Sequence, residues 1–355
     1  MAQITEDKNR PSRKKKIHPV SAKLKLYLEK YGHIINLSTQ YADLLRYSEA
    51  IPLLNLNKED TLWRTVFYPE QEYAEMARDL KTMYAYLKTF GNVEVIKHLS
   101  ISRIDFCTFG NTHPFRIRII NRLNDNYDHF YIKMADASRI YGIELENLIS
   151  PNKLDYFLND NTLIEEHIAG IPGDDFMKKY LNDNVFNQIR MAKEFVKFNE
   201  RCFVRLLGDM RAYNFVVDIT PDIEGSQYRI RAIDFDQQSY EGRKSFYLPQ
   251  YFKDNNPLIN LGLKHIKAQA VKQYQMEEHS LMAGRVMRSH QRLQELFTIM
   301  AQDNISTPEK INQLKAELNH HHKTEAFSAC KSMGDVVRTN FEFVLEKDLK
   351  KDFNL

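Results

Sequence analysis

The sequence predicts an α+β fold, in which strands and helices occur in separate regions of the chain instead of alternating. Three observations support this. Apolar residues alternate between positions 93 and 136, which indicates antiparallel strands. Apolar residues recur at helical spacing from about 21 to 91, and the chain again reads as helical after Pro257. A short hairpin pattern at 215–233 follows a helical stretch at 185–203.

The N-terminal part of the chain divides into a tail and a helical region. Residues 1–19 carry six clustered Lys and Arg residues and are expected to be a disordered basic tail. Residues 20–92 are expected to form an N-terminal helical extension, in which Pro69 opens the second helix and Gly91 ends it. Its apolar stripe predicts packing on the β-rich region, because such a stripe is not stable in water alone. The stripe comprises Tyr73, Met76, Leu80, Met83, Tyr84 and Leu87.

The β-rich region is expected to be a three-strand antiparallel meander followed by a helix. The turn between the last two strands is predicted at 124–126, and the helix at 139–148, where Pro151 follows its end. The last strand, 129–134, is apolar and includes Lys133 near its end. A buried ammonium group there requires an anionic partner.

Composition limits the possible classes of function. Of 355 residues, 43% are hydrophobic and 27% are charged, which is typical of a soluble globular protein. A net charge of +3 is too small to indicate nucleic-acid binding, and no apolar run is long enough to span a membrane. The start of the chain lacks the apolar stretch of a secretory signal. Three scattered cysteines favour a reducing cytoplasm, although an exported effector would look the same. Nothing in the sequence indicates an oligomeric state.

The segment 206–217, followed by 232–236, carries the polar residues with the most specific spacing. Asp209 follows Gly208, Asn214 comes five residues later, and Asp234 stands at the end of the next strand. One carboxylate that orients a hydroxyl group, with an amide oxygen and a second carboxylate that hold Mg²⁺ on phosphates, is what phosphoryl transfer requires. The hairpin between the two ends distinguishes this set from a chance pair.

This pattern, G-D-x-x-x-x-N followed by I-D-F-D, resembles the catalytic loop and metal-binding segment of the protein-kinase-like superfamily. It is closest to the aminoglycoside phosphotransferase and choline kinase branch. The resemblance implies a bilobal fold with a small antiparallel β lobe and a larger helical lobe. It implies ATP and Mg²⁺ as cofactors, Asp209 as the catalytic base, and Asn214 and Asp234 as Mg²⁺ ligands. It covers residues 98–265, and it places the small nucleotide-binding lobe at 93–168 and the catalytic lobe at 169–355.

Further site residues follow from the same resemblance. Lys133 corresponds to the lysine that holds the α- and β-phosphates. Residues 162–173 are similar to the strand and hinge that carry adenine, so Glu166, His167 and Ile168 are expected to offer backbone groups to it. Of Glu144 and Glu146, which point in different directions on a helix, we prefer Glu144 as the partner of Lys133, because it shares a face with apolar residues.

Arg211 and Asp236 complete the predicted site. Arg211, two residues after Asp209, is expected to neutralise charge on the transferring phosphoryl group. Asp236 is either a second metal ligand or a group that fixes the loop. The acceptor is a small hydroxylated molecule or a protein Ser/Thr, and the Gly-Asp and I-D-F-D motifs favour the small molecule.

Some features depart from the family pattern. The stretch 109–114 offers only Gly110 where the family has a glycine-rich loop, and Leu207 stands where the small-molecule kinases carry His. The hairpin that joins Asn214 to Asp234 is long. Two alternatives therefore remain open: a non-catalytic kinase-like interaction module, and an enzyme of the same fold that transfers AMP.

Two histidine-containing stretches lie outside the pattern. His320, His321 and His322 are adjacent on a predicted helix and point in different directions, so we expect no shared metal site. Glu277, Glu278 and His279 are expected to be solvated.

Overall fold

The computed structural model describes residues 15–55, 57–89, 91–109, 112–181, 186–223 and 225–353. The chain divides into two compact units. The sheet unit comprises Lys16–Asp136 and Leu154–His167, and the helical unit consists mainly of Ala137–Lys153 and Ile168–Leu355.

The sheet unit is built around a seven-stranded antiparallel sheet. Its strands are β1 (Glu49–Leu54), β2 (Asp60–Phe67), β3 (Leu99–Cys107), β4 (Phe115–Asn121), β5 (Tyr127–Met134), β6 (Tyr156–Asn159) and β7 (Thr162–Glu166). They lie in the order β1-β2-β3-β4-β5-β7-β6, so each of the first four strands pairs with the next strand of the chain, whereas β5 pairs with β7 and β6 lies at the edge. Lys133 on β5 lies opposite Leu163 on β7.

Helices of the sheet unit are α1 (Ala22–Lys30), α2 (Tyr41–Leu44) and α3 (Glu70–Thr89). Helix α3 covers one face of the sheet, because Met76, Leu80 and Met83 pack in one apolar cluster with sheet residues such as Phe130 and Ile132. The opposite face carries charged side chains, such as Arg116 and Lys133, together with Tyr131 and Leu163.

The helical unit contains a three-stranded sheet and the remaining helices. The helices are α4 (Ala137–Ile149), α5 (Gly173–Lys179), α6 (Gln188–Arg205), α7 (Asn256–His265), α8 (Ala268–Arg288), α9 (His290–Met300), α10 (Pro308–His322) and α11 (Met333–Phe353). The strands are β8 (Ile171–Pro172), β9 (Phe215–Asp222) and β10 (Gly225–Ala232). The predicted hairpin is β9 and β10, with Phe215 opposite Ala232.

The α+β class is confirmed, and an antiparallel sheet followed by a largely helical unit is consistent with a bilobal kinase-like fold. The three-strand meander, β3 to β5, lies where the alternation of apolar residues predicts it. In the part of the chain that the structure describes, no helix is both long and apolar enough to cross a membrane.

Two boundaries differ from the sequence-based expectation. Residues 20–92 are not wholly helical, because β1 and β2 form a hairpin that extends the sheet. Helix α4, expected in the small lobe at 93–168, groups with the helical unit. All but one of its thirteen residues are buried there. Most of the expected basic tail and the glycine of the 109–114 loop lie outside the described residues.

Candidate active site

The loop that follows α6 has a strained backbone. Leu206 ends the helix with a left-handed φ of 55°, and Asp209 is also left-handed, with a φ of 58°. Between them, Gly208 lies so close to Phe246 that an added Cβ would meet the aromatic ring at 2.6 Å. Strain of this kind is typical of functional loops, where the surrounding structure holds the backbone in place.

Asp209 lies in an unusual electrostatic environment. The Nε atom of Arg211 donates to its carboxylate at 3.1 Å, and the same guanidinium pairs with Asp254 at 3.0 Å. Burial raises the pKa of Asp209 to about 7, since the opposing effect of Arg211 is smaller and Asp234 adds to the rise. A carboxyl group with this pKa is suited to accept a proton at neutral pH.

Asn214 is tied to the same loop. Its side-chain Nδ2 atom donates to the backbone carbonyl of Asp209 at 2.7 Å. Its backbone carbonyl accepts from the amide of Ile233 at 3.0 Å. Since the nitrogen end of the amide binds the loop, Oδ1 is the end that can serve as a metal ligand. The same bonds join the loop that carries Asp209 to the strand end that precedes Asp234.

Asp234 and Asp236 are held together by a residue that the sequence did not indicate. The Nη1 atom of Arg139, on α4, lies 2.9 Å from Oδ1 of Asp234 and 2.8 Å from Oδ1 of Asp236. The amide of Asp236 also donates to Asp234 Oδ1 at 3.0 Å. Arg139 is buried, and its guanidinium also lies over the ring of Phe235.

These side chains fit Mg²⁺ in type. Carboxylate and amide oxygens are the hard ligands that this ion prefers, and it usually keeps few protein ligands while water and phosphate supply the rest. Among the described residues, no group of three or more His, Cys, Asp or Glu is arranged to hold a metal ion by itself. A set of Asn214, Asp234 and Asp236 would therefore depend on phosphate oxygens as further ligands.

The expected partner of Lys133 is corrected by the structure. The ammonium group of Lys133 pairs with Glu165 on β7 at 2.9 Å, and both side chains are buried. Glu144 instead pairs with Arg292 of α9 at 2.8 Å. Choosing Glu144 by its helix face was wrong because α4 is buried almost all round, so no single face is the inward one.

The hinge residues take different positions. The amide of Glu166 donates to the carbonyl of Asp155 at 3.0 Å, so this N–H group is not the one that meets adenine. Its carboxylate pairs with Lys88 at 3.1 Å. His167 contacts the hydroxyl of Tyr131 at 3.3 Å. Ile168 is buried at the start of the helical unit.

The face of the large sheet that carries Lys133 is rich in cations. Arg103 and Arg116 bind the fully buried carboxylate of Asp105 at 2.8 and 2.9 Å. The Arg116 guanidinium lies 4.5 Å from the centre of the Trp63 ring. Burial, and after it the charge of Arg116, lowers the pKa of His129 to about 4. Lys133 thus lies on a strand whose surroundings favour anions.

The structure brings together Asp209, Arg211, Asn214, Asp234 and Asp236, all in the helical unit. Arg139, Asp254 and Glu165 were missed. Arg139 belongs to no motif that the sequence shows, and Asp254 lies 43 residues from its partner Arg211. Glu165 is next to the predicted site residue Glu166. It lies opposite Tyr131 in the sheet, so the two side chains share a face.

Comparison with known proteins identifies no family for this chain. No protein-family model matches the sequence, and no curated protein matches it. Among solved structures, the chain is similar to an ethanolamine kinase of Plasmodium vivax, with 12% identity over 80% of this chain and 92% of that chain. The TM-score is 0.27, so the two backbones superpose only loosely and function is judged from the residues of this chain.

Proposed function

We propose that this protein is an ATP- and Mg²⁺-dependent phosphotransferase of the protein-kinase-like superfamily. It would move the γ-phosphoryl group of ATP to a hydroxyl group. The observation that carries the proposal is Asp209, which is held in a left-handed backbone conformation beside Arg211 and Asn214, with a pKa raised to about 7. Backbone strain and a strongly shifted carboxyl pKa both cost stability, and they occur together mainly at functional sites.

In this proposal Asp209 accepts the proton of the acceptor hydroxyl. The charge of Arg211 would offset negative charge on the phosphoryl group, while Asp254 keeps the guanidinium in position. Asn214 and Asp234, with Asp236, would hold Mg²⁺, which neutralises phosphate charge when bound. Lys133, oriented by Glu165, would bind the phosphates in the sheet unit.

The acceptor that we favour is a small hydroxylated molecule. The support is the Gly208-Asp209 and Ile233-Asp234-Phe235-Asp236 motifs, which resemble the small-molecule kinases more than the protein kinases. A protein serine or threonine is the second possibility, because a cation two residues after the base is a feature shared with protein kinases.

Labelled ATP separates these possibilities. The protein is incubated with Mg²⁺ and ATP labelled at the γ- or the α-phosphate, with a metabolite extract or a protein extract as the acceptor pool. Label transferred only from the γ-position to a small molecule supports the proposal. Label from the α-position indicates AMP transfer, and no transfer in any pool contradicts enzymatic activity.

One observation favours the non-catalytic alternative. Arg139 already neutralises both Asp234 and Asp236, as a cation would in a pocket that no longer uses Mg²⁺. Calorimetric titration with ATP in the presence and absence of Mg²⁺ distinguishes the two. ATP binding that Mg²⁺ strengthens supports the enzyme, whereas ATP binding of equal affinity with and without Mg²⁺ supports the non-catalytic module.

A further inference from the structure

A second concave site lies within the helical unit, on segment 244–251 and on helices α6, α8, α10 and α11. The cavity has a volume of about 880 Å³. Small-molecule sites are typically about 300–1,000 Å³. Two stretches that the proposed activity leaves unexplained meet here, because His279 comes from α8 and His321 from α10.

A buried carboxylate forms one polar part of this cavity. Glu200 is only 7% exposed. One of its oxygens accepts from Gln275 Nε2 and the other accepts from His279 Nε2, each at 2.7 Å. The sequence predicted that His279 is solvated, but its ring instead bonds to this buried carboxylate. Since both carboxylate oxygens already have partners in the protein, Glu200 is poorly placed to recognise a cationic ligand.

Lys244 supplies a positive charge to the same cavity. Its Nζ atom contacts Nδ1 of His321 at 3.3 Å, and no carboxylate of the described residues lies within ion-pair distance of it. Burial and the charge of Lys244 lower the pKa of His321 to about 4, so this ring is neutral at pH 7. Because Nδ1 accepts from Lys244, the ring proton is on Nε2, which is then a second donor.

The remaining wall is apolar and partly exposed. Met276 is 61% exposed, and Tyr251 and Phe343 are also exposed, although all three line the cavity beside the buried Phe203. Apolar side chains that gather round a polar pocket mark binding surfaces more often than isolated exposed residues do.

We propose that this cavity binds a small amphipathic carboxylate, whose head pairs with Lys244 and whose apolar body packs on Phe203, Met276 and Phe343. Lys244 is the cation that lines the cavity, and its charge selects an anionic head, whereas the carboxylate of Glu200 is already paired and Glu346, which also lines the cavity, is exposed. The apolar wall selects against a fully polar anion such as inorganic phosphate. The inference does not depend on the proposed phosphotransfer.

Segment 244–251, which lines this cavity, also bonds to the loop that carries Asp209. Phe246, within the same 244–251 segment, accepts a hydrogen bond from the amide of Asp209 at 3.2 Å through its carbonyl oxygen. Asn255 also joins this region to the loop, since its Nδ2 atom donates to the carbonyls of Met210 and Pro249.

Calorimetric titration of the full-length protein with decanoate and with decyltrimethylammonium, both below their micelle concentrations, tests the proposal. We expect decanoate to bind at one site per chain and the cation to bind at least tenfold more weakly. Lys244→Met should weaken decanoate binding about tenfold, as expected for one charge-assisted contact. Lys272→Met, at an exposed position of α8, is the matched control and should leave binding unchanged.

A pair of substitutions at the exposed rim keeps the test independent of folding defects. Met276→Glu should bind decanoate more weakly than Met276→Lys, because both variants lose the same apolar contact and differ only in the sign of the charge that they add to the cavity. Absence of saturable decanoate binding would overturn the proposal. So would equal binding of the two probes, or equal affinity of the two Met276 variants for decanoate.

Discussion

Asp209 combines two properties that single residues rarely share, a left-handed backbone and a carboxyl pKa near neutrality. Burial supplies the rise in pKa, and Arg211 limits it. A general base must be ionised to act but must also bind a proton readily, and a pKa near 7 meets both conditions at physiological pH. In the proposed enzyme, the rate would therefore be sensitive to small electrostatic changes around Asp209.

We predict that Asp209→Asn separates nucleotide binding from turnover. The amide has the size of the carboxyl group, so affinity for ATP should stay within a few-fold. It cannot take the proton, so kcat should fall by roughly two to four powers of ten. Steady-state kinetics with calorimetric ATP binding measure both. Turnover at the parental rate would remove the base assignment.

The pH profile gives a second prediction at this site. In the parent, kcat/KM for the acceptor should fall below about pH 7, because protonation of Asp209 removes the base. Arg211→Gln removes the charge that lowers this pKa, so the acidic limb should move to higher pH. Lys178→Gln, in an exposed pair with Asp174, should leave the limb in place. A limb that stays or moves to lower pH in Arg211→Gln contradicts the assignment.

Metal binding is predicted to depend on Asp234. Asp234→Ala should abolish Mg²⁺-dependent ATP binding, since the neutral Asn214 cannot hold the ion against phosphate charge with one carboxylate fewer. The shift of the thermal midpoint by Mg-ATP is the measurement. If the variant is stabilised as strongly as the parent, Asp234 is not a metal ligand.

At the scale of elements, helix α4 is joined to the 234–236 segment by Arg139. Arg139→Met leaves two carboxylates without this partner, so the free energy of unfolding should fall by roughly 3 kcal/mol without metal. Mg²⁺ should then raise the thermal midpoint more in the variant than in the parent, because the ion no longer competes with the guanidinium.

Arg338→Met is the control for this experiment, since Arg338 pairs with Glu342 on an exposed face of α11. Neither its midpoint nor its response to Mg²⁺ should differ from the parent. Loss of the Mg²⁺ response in Arg139→Met would mean that the guanidinium positions the carboxylates for the ion, instead of competing with it.

Elements were predictable from the sequence where their pattern is local. The β9–β10 hairpin and the β3–β5 meander have regular alternation, and the loop from Asp209 to Asn214 has the spacing of a known motif. The β1–β2 hairpin was missed because its residues are largely exposed or half-buried, so apolar alternation is weak. Pairs such as Arg139 with Asp236 join residues 97 positions apart, and no single sequence reveals such a contact.

At the scale of the whole molecule, the first part of the chain is structurally part of the sheet unit. Among the described residues, the apolar cluster under the sheet has sixteen buried members, of which eight precede residue 93. Strand β2 also covers the edge of β3 that does not pair with β4, and β1 pairs with β2 in turn. An uncovered edge strand is a site of aggregation.

We therefore predict that a protein truncated to begin at Val93 is insoluble or aggregates. It would lose half of the cluster and expose the edge of β3 to other chains. Size-exclusion chromatography and the thermal midpoint measure the outcome. Co-expression with residues 1–92 as a separate chain should restore solubility if lost packing is the cause. A truncated protein that is monomeric and as heat-stable as the parent would show that the first 92 residues form an independent module, and would favour a partner-binding role for them.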